Sequence, residues 1–372
     1  MIRLEALQAR HGDCLLLHWG DASKPYMALI DGGPSAVYKQ VLRPRLLELA
    51  DQCGGGLRLD LVMLSHIDDD HIKGLLDLAK EIEDRRTGAD GDEEFPPIWV
   101  KNLWHNSLED LLEYNFSSSS TQVVTAAIAA VGNPPADMAN DSDLEEHFYN
   151  MVLASVPQGQ ELHGYAVRNG WSVNEGFKDP PLVMCKEGSR AKKIQGLRLT
   201  VIAPAIEEIE KLRKVWKEKR VDGATAAYLD RSPYNLSSIV VLAEYGERRI
   251  LLTGDARGDL ILDGLARNKF LDGDGCIHVD VLKLPHHGSG NNVEQSFFER
   301  VTADHYVVSG DQVKFPNPAI AAMEWLHDAR GDDDYKVHCT YELEDMRALF
   351  RGKLITPAAE LCSVSVTLDG SV

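Results

Sequence analysis

The stretch "LVMLSHIDDDHIKG", residues 61–74, constrains this chain more than any other, because an apolar run carries three consecutive acids and two histidines into one tight place. Adjacent carboxylates repel one another, and an ionised group behind an apolar strand meets a crowded, partly dry environment where charge is costly. Positive charge is therefore expected among them. The preceding "LRLDLVMLS" reads as a near-continuous strand covered on both faces, and "IKGLLDLAK" from Ile72 to Lys80 has the apolar period of a helix. The cluster thus occupies a strand-to-helix turn. A solvated helix N-terminus would account for the acids alone, since carboxylates suit that end of the macrodipole, but it leaves His66 and His71 unexplained.

Two later segments repeat the arrangement: "RRILLTGDA" and "IHVDVLKLPHHGSG" also end an apolar strand in ligand-type residues. In a layered α/β protein such strand ends converge on one rim, so His66, Asp68, Asp70, His71, Asp255, His286 and His287 are expected to share a site. "TGD" alone is a common turn and "HH" alone says little; the inference rests on the three together. Imidazole and carboxylate in combination ligate Zn²⁺, Mn²⁺ or Fe, and so many carboxylates are tolerable where cations offset them, which points to two divalent metal ions. Asp69, between its ligand-type neighbours, is expected to point away from them. In "RHGDC" and "LIDGG", His11, Asp13 and Asp31 are read as turn and packing residues, and His105, His147 and His163 as surface or satisfied histidines.

The remaining pattern gives the frame. "IRLEALQ", "CLLLHW" and "YMALIDGG" read as an opening run of antiparallel strands, followed by a helix at "PSAVYKQVLRPRLLELA". "IWVKNLWHN" reads as a strand, and residues 107–195 as a mainly helical, irregular insertion and candidate lid within a single domain over 1–372. Order returns with the strand "GLRLTVIAP" and the amphipathic "AIEEIEKLRKVWKEKR". "NLSSIVVLAEY" and "RRILLTGDA" pair through a hairpin at "GERR", and the chain closes on alternating strands and helices ending near "LCSVSVTL".

The six cysteines are scattered singly, so neither a zinc ribbon nor a disulfide framework is indicated. No run of about 18 uncharged apolar residues occurs, and the N-terminus lacks the phases of a signal peptide, so a soluble cytoplasmic protein with no membrane partner is expected. A net charge of −19, from 39 basic against 58 acidic side chains, opposes general coating of nucleic acid, so a polyanionic substrate would need a local grip. "RAKK" and "KLRKVWKEKR" are local basic runs read as solvated faces.

The order of HxDxDH at 66–71, "TGD" at 253–255 and "HHGS" at 286–289, with "HGDCLLL" and "LIDGG" before them, resembles the metallo-β-lactamase superfamily, and within it the hydrolase domain of ComEC-type competence proteins. The resemblance implies an α/β fold, a four-layer αββα sandwich. It implies His66 and Asp68 on one metal, Asp70 and His71 on the other, Asp255 bridging both, and His286 completing the second site with His287 as the fallback. The usual superfamily form has histidine where Asp68 stands; a carboxylate there hardens the site and tilts it from Zn²⁺ towards Mn²⁺ or Mg²⁺. No histidine lies between His163 and Asp255 to supply the ligand that many relatives carry there, and Asn235 or Ser237 stands near that place. Where competence-type domains carry His-Pro-His-Pro, this chain reads "KFPNP", with Phe315 and Asn317.

The function implied is hydrolysis by a metal-bridged hydroxide, acting on DNA or another phosphodiester, with Asp70, Asp255 and His287 as catalytic residues and His287, Ser289 or Lys283 placed to hold a phosphate oxygen or protonate a leaving group. Fold does not fix substrate, so two alternatives stand beside it. One is a small-molecule hydrolase for a lactone, thioester or cyclic nucleotide; the other is a non-catalytic or partner-activated binding module.

Overall fold

The structure, a computed structural model, describes residues 1–88, 96–107, 111, 157–178, 181–188, 190–210, 213–214, 237–358 and 361–369. The first half of the chain supplies β1 (Ile2–Leu7), β2 (Leu15–Asp21), β3 (Lys24–Ile30), β4 (Leu57–Leu59), β5 (Leu61–Met63), β6 (Ile98–Val100), β7 (Asn102–Trp104) and β8 (Ser172–Val173). The second supplies β9 (Lys192–Ile194), β10 (Leu197–Ala203), β11 (Val240–Tyr245), β12 (Arg248–Leu252), β13 (Ile277–Lys283), β14 (Val301–Val308), β15 (Lys336–Cys339), β16 (Leu354–Ile355) and β17 (Ser363–Leu368). They form a seven-stranded sheet in the order β17-β1-β2-β3-β5-β7-β8, an eight-stranded sheet in the order β16-β15-β14-β13-β12-β11-β10-β9 and a small β4-β6 pair.

Three separate apolar layers make this a four-layer sandwich. Between the sheets lie alternate residues of both, among them Leu4, Leu17, Ala28, Val241, Ile250 and Val281. Outside the first sheet, α1 (Arg43–Gln52), α2 (Asp69–Thr87) and a helix over 157–168 bury Leu46, Leu75, Leu78 and Leu162. Outside the second, α3 (Gly258–Arg267), α4 (Gln295–Arg300), α5 (Ile320–Arg330) and α6 (Glu344–Leu349) bury Ile261, Phe297, Leu326 and Met346. Each fully covered Leu or Phe contributes roughly 1.5–3 kcal/mol relative to exposure, so the stack is held chiefly by area.

Two sequence expectations need refinement. "LRLDLVMLS" is not one strand: it breaks at buried Asp60, so that β4 pairs with β6 in a small sheet while β5 joins the first sheet. "IWVKNLWHN" breaks in the same way at Lys101, because β6 and β7 follow β4 and β5 in parallel register. The last strand, which the resemblance left unsupported, is integral: β17 pairs antiparallel with β1 along its whole length. Of the expected insertion over 107–195, residues 112–156 lie outside the described residues, as does most of "KLRKVWKEKR". Its described part holds the 157–168 helix, and β8 and β9 extend the edges of the two sheets. Among the described residues no helix is long and apolar enough to cross a membrane.

Close approach of α2 to the turn after β3 explains the glycine in "HIKG". A Cβ on Gly74 would stand 2.0 Å from the carbonyl oxygen of Gly32, and one on Gly32 would stand 2.4 Å from the amide nitrogen of Leu75. Only a glycine pair lets the helix carrying His71 press against the strand end carrying Asp31.

On the other side of the first sheet's helical layer, Glu5 of β1 is 2% exposed and accepts hydrogen bonds from Arg45 of α1 at 2.8 and 3.2 Å, with His18 at 3.3 Å. Burial opposes its ionisation, but the bonds from His18 and Arg45 outweigh it and push the carboxyl down to about 2 from 4.5. A folded-state value below the unfolded one gives stability that is present above about pH 4.5 and is lost as pH falls towards 2, here about 3 kcal/mol. Denaturant melts at pH 7 and pH 3 should show wild type losing clearly more stability than Glu5→Gln; equal losses would remove Glu5 from the acid transition.

Candidate metal centre

Three strand ends meet on one rim. After β5, Ser65 and His66 form the turn, Asp68 is the N-cap of α2, and its carbonyl accepts the amides of His71 and Ile72 at 2.9 and 3.0 Å. After β12, Thr253 donates its hydroxyl to the Lys283 carbonyl at 2.7 Å, and the Asp255 amide donates to the Ser238 hydroxyl at 3.0 Å, which aims the Asp255 side chain across the rim. After β13, His286 and His287 both adopt left-handed backbone, at φ 47° and 55°, with the His286 amide donating to the Gly254 carbonyl at 3.0 Å. Two successive non-glycine residues in that region are strained, and here they turn both rings towards Asp255.

Asp255 is the centre. Its Oδ2 lies 3.7 Å from His66 Nε2 and 3.5 Å from His286 Nε2, and its Oδ1 lies 3.4 Å from His71 Nε2 and 3.6 Å from His287 Nε2. Asp68 Oδ2 stands 3.5 Å from His66 Nε2 on the first side; Asp70 Oδ2 stands 3.7 Å from His287 Nε2 on the second. All seven residues expected to share a site are therefore brought together, but the two histidines divide differently from the expectation. His287, not His286, joins Asp70 and His71, while His286 faces the oxygen that His66 faces. The physical reason is the double left-handed turn, which sends consecutive rings to opposite oxygens of one carboxylate. It also places a second imidazole beside His66, on the side that lacks a histidine ahead of the "TGD" strand; of the two residues expected near that place, Ser237 is buried and Asn235 lies outside the described residues.

The opposite nitrogen of each ring is fixed. His66 Nδ1 meets the Ser65 hydroxyl at 3.0 Å, His71 Nδ1 meets Asp31 at 2.8 Å, His286 Nδ1 meets Asn292 Oδ1 at 2.7 Å, and His287 Nδ1 meets the Ser309 hydroxyl at 2.8 Å. Outer partners of this kind set the tautomer and leave the inner nitrogen as a lone-pair donor. Asp31 also accepts the amide and hydroxyl of Ser65, both at 2.7 Å, and Asp13 accepts from Ser309 at 2.6 Å and from the Lys283 ammonium at 2.7 Å. Sequence reasoning gave Asp13 and Asp31 to turns. The strand-end rule that found His66 would have found Asp31, since Ile30 pairs with Met63 in register.

Lys283 also departs from expectation: it is 0% exposed and donates to Asp13 and to the Leu284 carbonyl, so it braces the centre from beneath and is not available to a phosphate oxygen. Asp69 does point away, its side chain accepting from Gln158 of the 157–168 helix at 2.9 Å. His105 and His163 are partners of each other at 3.3 Å, and His147 lies outside the described residues.

The electrostatics fit resident cations. His66 Nε2, His71 Nε2, His287 Nε2 and Asp255 Oδ1 are buried without a hydrogen-bond partner, a cost that metal ligation removes. Among the described residues the one Lys or Arg paired with Asp13, Asp31, Asp68, Asp70 or Asp255 is Lys283, on Asp13, so four carboxylates are ion-paired by imidazoles alone, a charge that two divalent cations would offset. Burial pushes the His71 imidazole down, yet Asp255, Asp31 and Asp70 overcome it and hold it well above its usual value; burial and His71 lower His66, and Asp255 and Asp68 overcome them and raise it. Burial likewise opposes charge on Asp255, and His286, His71, His287 and His66 drive its carboxyl well below the usual range.

Fold and site together define an α/β sandwich of two large sheets with a carboxylate- and histidine-rich candidate metal site at its strand ends. Residues 26–317 match the family model of the metallo-beta-lactamase superfamily, and the chain belongs to that superfamily, a family of hydrolases. Among solved structures it is similar to the metallo-beta-lactamase fold protein YhfI from Bacillus subtilis, at 11% identity over 91% of this chain and 96% of that one, TM-score 0.40. It is similar also to Zn²⁺-bound PqqB from Methylobacterium extorquens, at 9% identity over 98% and 100%, TM-score 0.41. A diphosphatase of the PhnP family matches at 10% identity over 99% and 98%, TM-score 0.40. The curated relatives matched, microtubule-associated protein 1A of Rattus norvegicus and Mus musculus, are 40% identical over 50 residues, 13% of this chain, which spans 2% of their length.

Removing the brace tests how the centre is supported. Lys283→Met leaves Asp13 buried without its counter-charge and should cost about 3–5 kcal/mol in denaturant unfolding. Adding Asp13→Asn should recover most of that loss; a Lys283→Met protein as stable as wild type would contradict the buried pair.

Proposed function

We propose that this protein is a metal-dependent phosphodiesterase acting on DNA or another phosphodiester. The observation that carries the hydrolase reading is the convergence of four imidazole Nε2 atoms on the two oxygens of Asp255, flanked by Asp68 and Asp70. His66, Asp68, His286 and Asp255 Oδ2 would hold one divalent cation, and Asp70, His71, His287 and Asp255 Oδ1 the other, in place of the assignment made from sequence. Two such cations supply acidification of water and neutralisation of the charge that builds on an attacked phosphate.

The chain's own residues contribute order. Asp255 keeps the two donor sets on opposite oxygens, so a substrate group lying between them faces both. Asp31, Ser65, Asn292 and Ser309 lock the four rings, so no reorientation is needed on binding. The phosphodiester preference is supported by the ComEC-like order of HxDxDH, TGD and HHGS and by Asp68, whose hard oxygen favours Mn²⁺ alongside Zn²⁺.

Mn²⁺- or Zn²⁺-loaded protein should cleave bis(p-nitrophenyl) phosphate and single- or double-stranded DNA, with a chelator abolishing turnover. Asp255→Asn should lower kcat/KM by at least about 10³. Cleavage of a lactone or thioester with none of either phosphodiester would transfer the site to small-molecule hydrolysis. Failure of the loaded protein on every ester would favour the binding module.

A further inference from the structure

The loop after β14 is tied to the centre from outside. The Ala319 amide donates to the Gly288 carbonyl at 3.0 Å, so the segment from Gly310 to Pro318 rides on the His286–His287 turn. From the opposite side the "HGD" turn presses in: a Cβ on Gly12 would stand 2.0 Å from the Asp70 carbonyl oxygen, so His11 sits at the edge of the same cluster. The two loops touch. His11 and Phe315 meet edge to face with ring centroids 5.5 Å apart, and the Lys314 ammonium donates to His11 Nε2 at 3.5 Å and lies 5.0 Å from the Phe315 centroid.

This arrangement fixes a cation where a charged side chain would ordinarily wander. Burial lowers the His11 pKa and Lys314 lowers it further, against Asp70 and Asp311, and the influence of Asp70 and His287 on the ring places it beside the cluster. Among the described residues Lys314 has no carboxylate within ion-pair distance, although the chain has 58 acids; Asp311, its close neighbour in sequence, accepts the Val313 amide at 3.0 Å. Phe315 remains 43% exposed and Val313 83% exposed, so the ring is open to a ligand.

We propose that His11, Lys314 and Phe315 form a substrate subsite beside the metal centre that takes a nucleotide flanking the scissile linkage, Lys314 its phosphate and Phe315 its base. This rests on the phosphodiesterase reading. It supplies the local grip that an acidic protein needs for an anionic substrate: His11 and the Phe315 ring preorganise the Lys314 charge, and the open ring offers an apolar contact. A stacked base on an exposed aromatic is tolerant of sequence, so the subsite selects for nucleotide character and not for one base.

The test compares the dinucleotide dTpdT with and without a terminal 5′-phosphate. Wild type should show a KM about tenfold lower for the phosphorylated form, and Lys314→Glu should erase that preference. Phe315→Ala should raise KM for both, with Phe315→Tyr restoring it. A preference unchanged in Lys314→Glu overturns the subsite. If wild type cleaves neither dinucleotide, the subsite is decided by equilibrium dialysis of thymidine 5′-monophosphate against metal-loaded protein, while the phosphodiesterase reading falls only if bis(p-nitrophenyl) phosphate and DNA are also left intact. Binding about tenfold weaker to Lys314→Glu supports it, and equal binding overturns it.

Discussion

A single buried carboxylate organises this protein. Asp255 is 2% exposed and faces four imidazole nitrogens at 3.4–3.7 Å, two on each oxygen. Nothing in a dry interior holds such an arrangement cheaply unless cations share it, because rings turned lone pair inward and carboxylates turned together both lose hydration. The rest of the rim can be understood as what is needed to keep Asp255 there. Its amide is held by Ser238, its carbonyl accepts from Asn292, and Thr253 bolts its strand end to that of Lys283.

The support extends outward through charges that never reach the centre. Asp31 holds His71 and Ser65, while Asp13 sits between Ser309, His287 and the fully buried Lys283. These residues come from the strand ends of both sheets: Asp13 lies before β2 and Asp31 after β3 of the first, while Lys283 ends β13 and Ser309 follows β14 of the second. The centre therefore also fastens one half of the sandwich to the other. Loss of the Asp13–Lys283 pair would be felt by the fold and the site together, whereas Glu5, held by Arg45 of α1, stabilises the helical layer of the first sheet.

Much of this was legible in the residues, for physical reasons that also mark where legibility ended. Apolar strands running into His and Asp announced a rim, and because strand ends converge whatever the loops do, the seven residues met as expected. Their division between the oxygens of Asp255 was not legible, since it depends on the left-handed backbone of His286 and His287, and nothing in "PHHG" dictates that two non-glycine residues adopt it. Asp60 and Lys101 were read through as strand interior, because an apolar run conceals a switch of sheet when both flanks remain buried. The burial of Lys283 is illegible for a related reason: a lysine at a strand end looks solvent-facing until a carboxylate 270 positions away in sequence is found beneath it.

The most direct test of the account is diffraction from crystals soaked in Mn²⁺, collected for anomalous scattering. Two peaks flanking Asp255 are predicted, one beside His66 and His286 and the other beside His71 and His287, both lost in Asp255→Ala. A well-ordered rim carrying no anomalous density, or a peak remote from Asp255, would contradict it.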